Sequence, residues 1–119
     1  MNSKFAVSYV QYLQLLHAFE STPNSLSQLD EKSKRLLNVI VLFHYQGKNV
    51  TTKDLMWSLP MASPPTIYRM MTKLVEAGLV EQIFIGKNRR SKYFIPTDKA
   101  GQYFEKLGEL MCAAFRDDM

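Results

Sequence analysis

The chain has 119 residues, of which 46% are hydrophobic and 22% are charged, and its net charge is +4. This length suits a single domain, or a subunit that completes its core against a partner, and the composition excludes a disordered chain. The longest uninterrupted apolar runs cover residues 110–115 and 39–43, far short of the ~20 residues that a membrane-spanning helix needs.

Residues 4–20 predict an amphipathic helix, because apolar side chains recur at spacings of three and four with no glycine or proline between them. A turn signal at residues 21–25 separates this helix from the rest of the chain. Its apolar side is unusually aromatic for the edge of a small domain, so we expect it to pack against a partner.

Asp30 is expected to cap a second helix that runs through Phe43 and stops near Gly47. Its sequence is apolar nearly all round, as in a helix buried at the centre of a domain. A strand over residues 39–43 is the alternative, which the charged, helix-favouring lead-in at residues 31–35 argues against.

A brief helix follows, capped by Thr51 or Thr52 and running through Trp57, and Thr51 with Asp54 has the spacing of a capping box. Ser63 precedes two prolines that suit a helical first turn, so the next helix begins at about Pro64.

The helix that begins at Pro64 is expected to end at Gly78, because glycine readily adopts the positive φ that commonly ends a helix. Its apolar side is predicted to comprise Ile67, Met70, Met71, Leu74 and Val75. Together with the brief helix before it, it has the pattern of a helix-turn-helix.

Residues 79–85 and 93–95 predict two strands joined by the polar loop 86–92, and Thr97 is expected to cap a closing amphipathic helix over residues 98–115. From Ser63 to Ile95 six basic residues stand against two acidic ones, a local excess equal to the charge of the whole chain. A basic excess of this kind permits binding to a polyanion such as nucleic acid without requiring it.

The segments SPPTIYRMMTKLVEAGLV (63–80), NRR (88–90) and KYFIPT (92–97) resemble the recognition helix, wing tip and returning strand of the MarR family of bacterial transcription regulators. The resemblance implies a mainly α fold with a small β wing (α+β), a winged helix-turn-helix with N- and C-terminal dimerisation helices. We expect one domain over residues 1–119, with a DNA-binding core at 30–96 and dimerisation helices at 4–20 and 98–115.

Residues near the N-terminus of a recognition helix reach base edges in the major groove, and those one turn further along touch the backbone. Arginines at a wing tip favour the negative potential of a narrow minor groove. Exposed, solvated charges are the alternative for these cations, and the core is the alternative for Tyr68. The expected DNA-binding residues are Ser63, Thr66, Tyr68, Arg69, Thr72, Lys73, Lys87, Asn88, Arg89, Arg90 and Lys92.

Two amphipathic terminal helices leave a monomer with more apolar surface than water readily tolerates, so we expect a homodimer. The predicted dimer interface comprises Phe5, Tyr9, Tyr12, Leu16, Leu107, Leu110, Met111 and Phe115.

One cysteine, Cys112, and two histidines exclude an intrachain disulfide and a cysteine-based metal site, and no catalytic motif is present. We therefore expect no metal, no cofactor and no enzymatic activity, with Cys112 packed in a helix interface or, alternatively, serving as a redox-sensing thiol. The N-terminus lacks an export-signal pattern, so we expect a cytoplasmic protein with no membrane partner.

The sequence thus supports the hypothesis of a homodimeric repressor on a pseudo-palindromic site in double-stranded DNA. Helix 64–77 would lie in the major groove, and wing 86–92 on the minor groove or flanking phosphates. A small-molecule effector is left undefined. The alternatives are a winged-helix adaptor or antagonist of another regulator, and a replication or mobile-element DNA-binding protein.

Overall fold

The elements of the computed structural model, which describes residues 3–23, 29–59, 62–84 and 92–116, follow the predicted order. They are α1 (Lys4–Glu20), α2 (Glu31–Tyr45), α3 (Thr52–Ser58), α4 (Pro64–Glu76), β1 (Val80–Phe84), β2 (Lys92–Pro96) and α5 (Asp98–Arg116). The mainly α fold with a small two-stranded sheet is therefore confirmed. The chain divides into two compact units, one formed by Leu29–Ala100 and one by Met1–Gln28 with Gly101–Met119.

Polar caps start the helices of the Leu29–Ala100 unit where the sequence places them. Asp30 accepts a hydrogen bond from the Ser33 N–H at 2.8 Å at the start of α2. Thr51 and Asp54 form a reciprocal capping box on α3. After α4, Ala77 forms the C-cap and Gly78 adopts φ 76°, a conformation that favours glycine.

The core of this unit lies where α2, α3 and α4 meet the sheet. Each helix contributes one apolar stripe, as a period of 3.6 residues requires. The fully or almost fully buried side chains include Leu36, Leu37, Ile40, Val50, Leu55, Ile67, Met70, Met71, Leu74 and Phe94.

The expectation that α2 is buried nearly all round is wrong. Leu42 is 60% exposed and Tyr45 is 89% exposed, because α2 packs on α3, α4 and β2 from one side only. The apolar side of α4 is also narrower than predicted, since Val75 is 38% exposed.

The antiparallel sheet is extended by the segment before α3. Strands β1 and β2 pair from Val80 opposite Pro96 to Phe84 opposite Lys92. The Phe94 N–H also donates to the Val50 carbonyl oxygen at 2.9 Å. This bond fixes the start of α3 beside the base of the wing, while the predicted wing tip falls outside the described residues.

The start of α5 is fastened to the end of α4. The Thr97 hydroxyl donates to the Gly78 carbonyl at 2.6 Å and accepts from the Ala100 N–H at 3.3 Å, which confirms Thr97 as a cap. The Lys99 ammonium donates to the Ala77 carbonyl oxygen at 2.8 Å.

In the unit formed by Met1–Gln28 and Gly101–Met119, here called the terminal unit, α1 and α5 run antiparallel. The rings of Phe19 and Tyr103 lie 5.8 Å apart at one end, and the Lys4 ammonium lies 5.9 Å from the Phe115 ring centre at the other. Within the described part of the chain, every helix is too short or too polar to cross a membrane.

Asp30 both caps α2 and forms an ion pair with Lys73 of α4. Hydrogen bonding from Ser33, whose N–H lies 2.8 Å from the carboxylate, and then the Lys73 ammonium at 3.2 Å lower the pKa of the Asp30 carboxyl from 3.8 to about 2. The folded state thus favours the charged form of Asp30. The stabilisation that this carboxylate adds to the free energy of unfolding is complete above about pH 4 and is lost as the pH falls towards about 2.

We expect Asp30→Asn to lower the free energy of unfolding at neutral pH by less than about 1 kcal/mol, because the ion pair is half exposed and asparagine still caps a helix. The difference from wild type should disappear in urea unfolding as the pH approaches about 2. Asp30→Ala, which also removes the cap, should cost about 1 kcal/mol more. A pH-independent difference for Asp30→Asn would contradict this account.

Candidate nucleic-acid interface

Helix α4 presents an exposed ridge between two clefts. Its buried stripe faces α2, α3 and the sheet, which leaves the opposite side open. Successive helical residues are turned by about 100°, so Arg69 lies on the open ridge, with Thr66 towards α2 and Tyr68 towards the wing.

In the N-terminal turn of α4, the backbone N–H groups are absent or already hydrogen-bonded. Pro64 and Pro65 carry no N–H, and the Thr66 N–H points to the Ser63 hydroxyl oxygen at 3.4 Å. The hydroxyls of Ser63 and Thr66 are themselves 2.8 Å apart and hydrogen-bonded. The first three helical residues, Pro64 to Thr66, therefore offer no unused N–H for an anion, although recognition helices commonly donate one to phosphate.

The ridge carries the polar groups best placed to meet a ligand. Arg69 is exposed and forms no ion pair with any described residue. Tyr68 is 57% exposed, which excludes the alternative that it belongs to the core. The Thr72 hydroxyl is exposed but donates to the Tyr68 carbonyl at 3.0 Å.

Lys73, by contrast, is committed within the fold. Its ammonium lies 3.2 Å from an Asp30 carboxylate oxygen, so its charge is already balanced. Both side chains are about half exposed, which keeps the pair in contact with water.

The first cleft, here called the wing-side cleft, lies between α4, the start of α3 and the base of the wing. Its volume is about 610 Å³. Two cations line it, Lys53 of α3 and Lys92 of β2, and Glu76 near the end of α4 is its acidic residue. Polar lining groups include Thr52, Tyr68, Thr72 and Gln82.

The second cleft, here called the α2-side cleft, lies between α2, the end of α3 and the first turn of α4, with a volume of about 440 Å³. It is lined by two cations of α2, Lys32 and Arg35, together with Ser63, Thr66 and Met70. No acidic side chain lines this cleft among the described residues.

The structure thus brings Tyr68, Thr72 and Lys92 to one cleft and Ser63 and Thr66 to the other, with Arg69 between them. The predicted wing contacts Lys87, Asn88, Arg89 and Arg90 lie outside the described residues.

Sequence reasoning missed three cations, Lys32, Arg35 and Lys53. They precede the basic segment in the chain and approach α4 only through tertiary packing. The capping box that places α3 was readable, and it was the available signal for Lys53.

The predicted dimer residues are incompletely covered in the single chain. Phe5 is 73% exposed and Met111 is 57% exposed, and Tyr9 and Phe115 are exposed as well. The remaining four are half buried: Tyr12, Leu16, Leu107 and Leu110. Cys112 is also exposed on α5.

The profile of the family described as winged helix DNA-binding domain matches residues 35–100. No curated protein matches the sequence.

Solved structures match over nearly the whole chain. A MarR-like transcriptional regulator from Thermotoga maritima superposes with a TM-score of 0.63 and 14% identity, over 98% of this chain and 80% of that one. FabT of Streptococcus pneumoniae, solved in complex with DNA, gives 0.58 and 16% over 98% and 80%. A mutant of MepR from S. aureus gives 0.60 and 15% over 92% and 72%. These likenesses confirm the predicted MarR-type winged-helix fold.

Proposed function

Since this chain belongs to the winged helix DNA-binding domain family, which comprises DNA-binding domains rather than enzymes, we propose that it is a homodimeric transcription regulator that represses by occupying a pseudo-palindromic site. The observation that carries the proposal is the open ridge of α4, where Arg69 is exposed and unpaired among described residues. FabT, a structure of similar fold, is described in complex with DNA.

In the proposed complex, α4 lies in the major groove and its ridge faces the base edges. A helix with side chains is about 10–12 Å across, which matches a groove about 12 Å wide. Arg69 can donate two hydrogen bonds to one guanine, while Tyr68 offers a ring and a hydroxyl beside it. The apolar rings of Pro64 and Pro65 are exposed at the leading end, where they suit contact with thymine methyl groups.

A two-fold dimer would present two copies of α4 to half-sites about 10 bp apart. The exposed apolar side chains of α1 and α5 would supply the contact surface, because large exposed apolar patches are unusual on a monomer. Burial of Phe5, Tyr9 and Met111 against a second copy would remove the most exposed members of that surface from water.

The wing is expected to add phosphate or minor-groove contacts through its arginines. Replacing Arg89 and Arg90 together by alanine should weaken duplex binding and reduce the magnitude of the slope of log affinity against log salt by about 1.8, since each lost phosphate contact accounts for about 0.9. Fluorescence anisotropy with a labelled duplex over a salt series measures this slope.

The matched control replaces Lys48 and Lys106 by alanine, which removes the same charge outside both clefts. An unchanged affinity and slope in the Arg89/Arg90 double variant would remove the wing from the mechanism.

A winged-helix adaptor that docks another protein remains the second candidate. In the Leu29–Ala100 unit, three large apolar side chains are exposed, namely Leu42, Tyr45 and Trp57, and Trp57 is 79% exposed. Complete absence of binding to random duplex at low salt would favour this candidate over the regulator.

A further inference from the structure

A helix that fills the major groove has one phosphate backbone along each of its flanks, because the two strands form the two walls of that groove. On this protein, both flanks of α4 are concave, and each cleft is lined by two cations from outside α4. The ridge between them carries Arg69.

We propose that the two clefts bind the two backbones of one half-site, one strand in each. Lys32 and Arg35 would hold phosphates in the α2-side cleft, and Lys53 and Lys92 would hold them in the wing-side cleft. This inference rests on the proposed function, since it requires α4 to enter the major groove.

The α2-side cleft needs side-chain cations because α4 offers nothing else there. Its first turn has two prolines, and its next N–H is directed at Ser63. Lys73, on the same side of α4, is neutralised by Asp30. Lys32 and Arg35 are exposed, and they form no ion pair with another described residue.

The wing-side cleft is where a backbone must pass if α4 occupies the major groove and the wing reaches the adjacent minor groove. Lys53 and Lys92 come from elements that the Val50–Phe94 hydrogen bond of 2.9 Å holds together. Both lysines are exposed, and no described carboxylate forms an ion pair with either.

Glu76 places a negative charge in the wing-side cleft, which is unfavourable for binding phosphate. Its carboxylate lines the same cleft and would repel a phosphate. Glu76→Gln is therefore expected to raise duplex affinity about twofold to fivefold at low salt, as expected for an exposed charge pair.

The test measures binding of a 30-bp random-sequence duplex across a salt series for the wild type and two double variants, Lys32→Ala with Arg35→Ala and Lys53→Ala with Lys92→Ala. Each pair should make the salt dependence shallower, reducing the magnitude of the slope of log affinity against log salt by about 1.8. The Lys48→Ala, Lys106→Ala protein controls for net charge, and thermal unfolding verifies that all variants fold.

Shallower slopes in both double variants, together with an unchanged slope in the control, support the inference. Wild-type binding with unchanged slopes in both pairs overturns it and leaves the proposed function standing. A change for one pair only overturns the claim that both strands are held. No wild-type binding at low salt overturns the proposed function, and the inference with it. A lack of gain from Glu76→Gln counts against the wing-side cleft.

Discussion

Replacement of Arg69 by alanine is expected to weaken binding to a selected duplex by about 1–3 kcal/mol, which is roughly 5- to 150-fold, and to relax discrimination at one guanine position in each half-site. The reason is the place of Arg69 on the open ridge of α4, with no ion pair among the described residues to hold it. Competition assays against duplexes with single substitutions measure both effects.

Arg69→Lys is the matched variant, because it keeps the charge and loses the planar fork. If Arg69 reads guanine, the lysine variant should recover phosphate-like, sequence-independent affinity without the discrimination. Uniform weakening on every duplex in the alanine variant, with specificity intact, would show that Arg69 only grips phosphate. Unchanged binding would exclude it from the interface.

Introducing glutamate at both Tyr9 and Met111 is expected to dissociate the dimer and lower affinity for a two-half-site duplex about 10²- to 10⁴-fold, the range that linking two binding units contributes. Both positions are exposed on the terminal unit, at 60% and 57%. A buried, unpaired carboxylate on each copy opposes association. Sedimentation velocity gives the oligomeric state, and anisotropy gives the affinity.

Gln14→Glu is the control, since it adds a single negative charge, half that of the double variant, at an exposed polar position of α1. It should leave both the dimer and the affinity intact. A double variant that stays dimeric would place the interface elsewhere, and a wild-type chain that sediments as a monomer would contradict the homodimer itself. Circular dichroism distinguishes dissociation from unfolding.

Local chemistry made much of this fold predictable. The Asp30 and Thr51 caps, the Ser63-Pro64 opening and Gly78 each act over three or four residues, so the sequence alone indicates where α2, α3 and α4 begin and end. The cap at Thr97 is equally local, although its second bond, to Gly78, is not.

The site was harder to predict because it depends on which helix flank meets which neighbour. Lys53 and Lys92 are far apart in the sequence and line one cleft only because the sheet extension brings α3 beside the wing. The ion pair of Lys73 was not predictable either, because its partner, Asp30, is 43 residues away in the sequence. Leu42 looked buried because hydrophobicity alone does not show how many sides of α2 are covered.

Selection of bound sequences from a pool of random duplexes tests the central claim most directly, since it assumes neither an operator nor an effector. A two-fold dimer with α4 in successive major grooves predicts enrichment of an inverted repeat whose half-sites are centred about 10 bp apart, each with a guanine that Arg69→Ala no longer selects. Recovery of no enriched sequence, or of a single half-site without symmetry, would contradict the account.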